Sequence, residues 1–256
     1  MIDPRAIIHP QARLHESVTV GPFSVIDADV EIGEGTTIGP HVVIKGPCRI
    51  GRENHIFQFS SLGEVPQDLK FHGEYSLLEI GDRNSIREFT TLHRGTEGGG
   101  GVTRIGSDNL LMAYAHVAHD CVIGNHVILA NAASLAGHVH VEDHAILGGF
   151  AVVHQFCHIG AHCFVGGFSK VSQDVAPFLM VDGARARAVG LNKEGLKRRG
   201  FTPETLSLLT RAFKRLVKSR PTSEGEWAEI DAMALESPEV AQFLEFIRAS
   251  KRGIVR

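Results

Sequence analysis

Residues 115–124 read AHVAHDCVIG, which sets His116 and His119 three positions apart and Asp120 directly after the second histidine. A neutral imidazole, with an ordinary pKa of about 6.5, takes up a proton near neutrality. A carboxylate beside it holds its tautomer and stabilises the imidazolium. Successive side chains on a strand point to opposite faces, so adjacency alone leaves contact between His119 and Asp120 open. Whether the three groups form a site depends on the elements that carry them.

Those elements are dictated by a six-residue period. Counting in sixes from Ile8 gives Leu14, Val20, Ile26, Ile32, Ile38, Ile44, Ile50, Ile56 and Leu62, and the phase returns at Ile80, Ile86 and Leu92. After a slip of one residue it runs from Ile105 through Leu111, Val117, Ile123, Leu129, Leu135, Val141, Leu147, Val153, Ile159 and Val165 to Val171. Two residues before each of these 25 anchors the side chain is nearly always small, as at Ala6, Ser24, Ala133 and Ala145. Glycine often follows the anchor, at Gly21, Gly33, Gly39, Gly51, Gly81, Gly106, Gly124, Gly160 and Gly166. A helix would return apolar residues every three or four positions, which excludes it here. A short strand and a turn fit the unit, with the aliphatic residue inside and the glycine placed to allow φ > 0. Such a unit buries its apolar residue only by stacking on copies of itself, which makes the chain a mainly β protein built on a parallel β-helix. Two segments interrupt the count, residues 63–79 and 93–104, and insertions on a rigid scaffold are where binding residues concentrate.

With three hexapeptides to a coil, eighteen residues beyond His119 is Gly137, beside His138, and eighteen further is Gln155, beside His154. Adjacent strands lie about 4.8 Å apart, so these residues are expected as one outward-facing column. A glycine one coil from an imidazole base can offer an unobstructed N–H to a developing oxyanion, and base plus oxyanion donor suits acyl transfer to a hydroxyl. His126, His144 and His162 share another exposed register position without obvious partners.

The four cysteines, Cys48, Cys121, Cys157 and Cys163, all occupy the small-residue position and form no CxxC pair, as expected of buried fillers in a reduced protein. Past Val171 the repeat stops, and Pro177 marks the exit. A helix is predicted from Pro203 with Thr202 as N-cap, a second over about 227–235, and a third after Ser237 and Pro238. The expected organisation is therefore a β-helical domain over 1–180 and a small α-helical domain over 181–256. Residues 185–220 hold eleven Lys or Arg against Glu194 and Glu204 in a chain of net charge −3. Such a concentration attracts an acidic partner. No nucleic-acid motif or aromatic platform accompanies it. No run of about 18 apolar residues and no basic–apolar leader occurs, so a cytoplasmic protein without an integral membrane segment is expected.

The hexapeptide pattern resembles the left-handed parallel β-helix proteins, whose members are typically trimers with active sites between subunits. GEVPQDLK, IREFTTLHRGT, GSDNLLMAYAHVAHDC, LAGHV, GGFAVVHQFCHIGAH and LNKEGLKRRGF further resemble, essentially end to end, the acyl-[acyl-carrier-protein]–UDP-N-acetylglucosamine O-acyltransferases. Members of that family move a 3-hydroxyacyl chain from acyl carrier protein to the sugar 3-hydroxyl in the first step of lipid A synthesis, without cofactor or metal. The resemblance implies His119 as general base, with Gly137 supplying the oxyanion N–H and Asp120 assisting. It places Gln67, Asp68, Lys70, His116, His138, Gly149, His154 and Gln155 against substrate, and Asn192, Glu194 and Arg198 against the nucleotide. Gly167 stands where a bulky residue shortens the acyl pocket in some members, which favours a longer chain, with Phe168 beside it leaving the length open. An ester- or amide-forming acceptor also stays open. The rivals are the N-acyltransferase that acts later in the same synthesis, which usually carries an extra N-terminal domain, a zinc-dependent hexapeptide carbonic anhydrase using the imidazole column as ligands, and a non-enzymatic scaffold.

Overall fold

The computed structural model describes all 256 residues, Met1 to Arg256. Each hexapeptide forms a strand of mostly two residues, too short to bury anything by itself, and strands eighteen positions apart pair in parallel. Val117 lies beside Leu135, and Leu135 beside Val153, so the anchors pile into a continuous interior column. Three sheets of nine, eight and ten strands result, and they wrap the chain into the expected left-handed parallel β-helix followed by helices. The first face contains His116–Val117, Ser134–Leu135 and Val152–Val153. The second contains Val122–Ile123, His140–Val141 and His158–Ile159. The third contains Ile128–Leu129, Ile146–Leu147 and Phe164–Val165.

The small residues before the anchors complete the interior. All four cysteines lie there as free thiols, none more than 1% exposed, and burial pushes Cys48 and Cys121 up to about 12.

One expectation is corrected. None of the nine glycines named above has positive φ, and among the other glycines that follow an anchor only Gly63, at the start of the first insertion, does (φ 75°). The left-handed residue instead falls three positions after the anchor and, Gly35 apart, is not glycine, as at Asp120 (φ 59°), His138 (φ 61°) and Phe156 (φ 64°). Left-handed backbone costs an ordinary residue roughly 1–2 kcal/mol, and contacts between successive corners offset it. Rings from Phe23 through His41, Phe59 and Phe89 to Tyr114 stack at 4.8–5.3 Å along one edge of the prism. The glycines answer a different need, the close approach of stacked backbones: a Cβ on Gly33 would lie 2.7 Å from the carbonyl oxygen of Gly51.

The β-structure also runs past the last counted anchor. Leu179–Asp182 pairs in parallel with Phe164–Val165, setting Val181 beside Val165, and Arg187–Leu191 closes the sheet antiparallel. The expected boundary at residue 180 falls within the first of these strands. This coil advances sixteen residues instead of eighteen, which takes Val181 out of a count in sixes.

Four helices follow: α1 (Lys193–Arg198), α2 (Pro203–Phe213), α3 (Glu224–Glu236) and α4 (Pro238–Ala249). Thr202 and Ser237 cap α2 and α4 as predicted, and Ser223 with Glu226 forms a capping box on α3. The short α1, capped by Asn192, was not anticipated, and α2 continues as a π-helical turn over Lys214–Ser219. Leu209, Phe213, Ile230, Phe243 and Leu244 join the interior of the β-helix in one apolar core.

Candidate active site

The turn between the first and second faces carries His119 and Asp120 on one coil, Gly137 and His138 on the next, and His154, Gln155 and Phe156 on the third. The column expected from the eighteen-residue spacing is therefore present. Because the backbone turns here instead of running extended, adjacent side chains can meet. His119 Nδ1 lies 2.7 Å from Asp120 Oδ2.

The second insertion fixes that carboxylate. The Thr96 N–H donates to Asp120 Oδ1 at 2.8 Å, the Thr96 hydroxyl donates to Oδ2 at 2.6 Å, and the Asp120 N–H donates to Thr103 Oγ1 at 2.8 Å. The Asp120 side chain is 1% exposed. A carboxylate only accepts, so His119 Nδ1 carries the proton and Nε2 is left with its lone pair free for a substrate proton.

Gly137 lies directly against that imidazole. A Cβ at this position would come within 2.5 Å of His119 Cε1 and 2.7 Å of Nε2, and the Gly137 N–H makes no hydrogen bond within the protein. His138 meets His119 edge-on with centroids 5.1 Å apart and stacks on Phe156 at 4.4 Å. Burial holds His138 below the usual imidazole range, with Asp120, 3.7 Å from its Nε2, acting in the opposite sense.

Below this pair, His116 Nδ1 lies 2.7 Å from Thr91 Oγ1 and its ring meets His93 at 5.2 Å. Burial lowers both imidazoles, His93 to about 4 with further depression from His116. An open cleft of ≈ 690 Å³ lies beside the pair, lined by Asp68 and Lys70 from the first insertion, Thr96 from the second, and His138 and Phe156 from the corner.

His119, Asp120 and His138 offer three potential metal-ligand atoms within 4.8 Å of one another. The carboxylate oxygens, however, already accept from Thr96 and His119. The donor set is that of an oriented base.

The sequence of the whole chain matches this reading. Residues 174–255 match the second domain of the UDP-N-acetylglucosamine O-acyltransferases, and residues 103–137 match the bacterial transferase hexapeptide. The chain is 52% identical over 260 residues to the acyl-[acyl-carrier-protein]–UDP-N-acetylglucosamine O-acyltransferase of Janthinobacterium sp. (strain Marseille), covering 100% of this chain and 99% of that protein. The chain belongs to the UDP-N-acetylglucosamine O-acyltransferase family. The Francisella novicida UDP-N-acetylglucosamine acyltransferase superposes with a TM-score of 0.96 at 42% identity, covering 100% of this chain and 94% of that one. The Acinetobacter baumannii enzyme does so with a TM-score of 0.95 at 45% identity, covering 100% and 99%.

Within a single copy of this acyltransferase, the residues expected at the site fall into three groups. His116, His119, Asp120, Gly137, His138, His154 and Gln155 gather at the first corner or the strand leading into it, with Asp68 and Lys70 across the cleft. Gln67 is exposed and does not line that cleft. Gly149, Gly167 and Phe168 occupy the corner between the third and first faces, where Phe150 and Phe168 stack at 5.0 Å. Asn192, Glu194 and Arg198 lie on or beside α1, against the remaining corner. There Asn192 caps α1 and donates from Nδ2 to the carbonyl oxygen of His162 at 3.0 Å. Glu194 pairs with Lys197 at 3.0 Å, and Arg198 is exposed. At that corner His126, His144 and His162, expected to lack partners, stack on one another at 4.7 Å per step.

Sequence reasoning missed Thr96, Thr103 and His93. The only signal for the threonines was their place in the 93–104 interruption. His93 sits at its first residue, in the position after anchor Leu92.

Proposed function

We propose that this acyltransferase moves an (R)-3-hydroxyacyl chain from the thioester of acyl carrier protein to the 3-hydroxyl of UDP-N-acetylglucosamine, the first step of lipid A synthesis. His119 Nε2 takes the proton of the sugar hydroxyl as its oxygen attacks the thioester carbonyl. The Gly137 N–H donates to the oxyanion, and collapse of the tetrahedral intermediate expels the carrier thiolate, which receives the proton from His119. Asp120 keeps the imidazole in the required tautomer and stabilises it while charged. The observation that carries this reading is the 2.7 Å contact between His119 and a carboxylate anchored by two donors from Thr96, with a side-chain-free residue against the ring.

Asp68, Lys70, His116, His138, His154 and Gln155 hold the acceptor, and no cofactor takes part. Asn192, Glu194 and Arg198 bind the nucleotide, and Gly149, Gly167 and Phe168 border the acyl chain. Three groups on three corners of one prism make a complete site when corners of different copies meet, which supports a homotrimer with intersubunit sites. Acyl carrier protein docks on the basic region around α2, where Arg211, Lys214 and Arg215 line a cavity of ≈ 480 Å³. No helix is long and apolar enough to cross a membrane, and we place the reaction in the cytoplasm.

The test is turnover by purified protein with 3-hydroxyacyl carrier proteins of several chain lengths, offering UDP-N-acetylglucosamine and its 3-amino analogue. Loss of a general base costs about 10²–10⁴-fold, so His119→Ala should fold and retain little activity. Absence of turnover with every donor and acceptor rejects the assignment.

A further inference from the structure

The histidine corner does not end at His154 and Gln155. One coil further on it is completed by the C-terminal tail, which returns from α4 and lies against residues 172–175. Ile254 and Val255 are buried, and the tail forms a parallel bridge at Asp174. The Asp174 N–H donates to the Gly253 carbonyl at 3.0 Å, and the Val255 N–H donates to the Asp174 carbonyl at 2.8 Å. Ser250 Oγ donates to Asp174 Oδ2 at 2.6 Å, and Arg256 Nη1 donates to the Leu216 carbonyl at 2.7 Å. Arg252 is thereby held on the same corner as His119, its Nη2 lying 3.3 Å from His154 Nδ1 and 3.4 Å from the Ser172 carbonyl.

His154 Nδ1 has a second neighbour, the Gln155 carbonyl oxygen at 3.0 Å. The two neighbours require opposite things of a neutral ring. A guanidinium only donates, so its engagement needs a lone pair on Nδ1 and puts the proton on Nε2. A carbonyl only accepts, so its engagement needs the proton on Nδ1 and leaves Nε2 as an acceptor.

The geometry points to Arg252 as a positioning residue that selects the Nε2–H tautomer of His154, so that the ring presents a donor to an oxygen of the bound sugar nucleotide. Removing the guanidinium transfers the proton to Nδ1, where the Gln155 carbonyl accepts it, and turns the same ring into an acceptor. The consequence for turnover rests on the reading of His154 as a substrate contact. The tautomer itself does not.

Long-range ¹H–¹⁵N NMR of histidine-labelled protein, with the His154 signals assigned from His154→Gln, reads the tautomer without turnover. An Nε2–H tautomer in the wild type, moved to Nδ1–H by Arg252→Met and retained in Arg252→Lys, supports the proposal. An Nδ1–H wild type, or no change in Arg252→Met, overturns it. In the kinetic arm, Arg252→Met is expected to raise KM for the sugar nucleotide about tenfold, the equivalent of one lost hydrogen bond, with thermal stability serving to separate this from damage to the tail. Arg252→Lys should restore most of that affinity. The double variant with His154→Ala should be no worse than His154→Ala alone, and additive losses would show that Arg252 acts independently of His154. Unchanged kinetics in His154→Ala would reject the substrate role of His154, with the tautomer result standing apart.

Discussion

Gly137→Ala isolates the contact on which the proposed chemistry depends. Gly137 does not have positive φ, so alanine meets no backbone strain there. Its methyl carbon would lie 2.5 Å from His119 Cε1 and 2.7 Å from Nε2, where ordinary contact begins at 3.4 Å. Either the imidazole or the coil beneath it must therefore yield by about 1 Å, and a displacement of that size at a reacting group costs about 10²-fold in rate. Overpacking of this kind costs typically about 1–3 kcal/mol of stability, so the variant should still fold. The assay is kcat/KM with saturating acyl carrier donor, paired with thermal denaturation. Gly225→Ala, on α3 away from the cleft and where a Cβ meets nothing within 4 Å, serves as the control. A fall of about a hundredfold confined to Gly137→Ala is expected. Wild-type kcat/KM in that variant would refute the claim that the Gly137 backbone and the His119 ring form one catalytic unit.

Other outcomes follow from the same contacts. Asp120→Asn should lower kcat by about 10²–10⁴-fold with the fold intact, because an amide satisfies Thr96 or orients His119 only by presenting an N–H to the other; near-normal kcat would show that the imidazole needs no acceptor. Stability should fall as pH drops from about 6.5 to about 4. Burial holds His93 and His162 down to about 4, so the unfolded chain binds their protons first, at most about 3 kcal/mol each. Denaturant titrations across that window should show the slope, and His93→Gln should flatten it; an unchanged slope would mean that His93 is protonated alike in both states. Cys48 and Cys121, pushed to about 12 by burial, should resist a thiol reagent in the native protein at pH 8. Rapid labelling of either would contradict their place inside the coil.

The chain's period alone determined that it is a β-helix, because a unit of one aliphatic and one small residue has no other way to bury its apolar surface. The same arithmetic placed His119, Gly137 and Gln155 on one edge, since a fixed coil length converts sequence distance into position. Where that length changes, the inference stops: the sixteen-residue coil hid the strand at Leu179–Asp182, and α1 gave only Asn192 as a signal.

The tertiary structure decided what period and composition leave free. Asp120 reaches His119 because the corner bends the backbone, and it is held there by Thr96, which arrives on an insertion outside the repeat. The left-handed corner residues are mostly aromatic, imidazole or acidic instead of glycine, because stacking and hydrogen bonding between coils compensate a cost that a local reading assigns to glycine. Arg252 reaches His154 from 98 residues away only because the tail after α4 folds back onto the last coil. Local spacing fixes the scaffold because each strand meets a copy of itself, whereas the chemistry is assembled by segments that have no copy to meet.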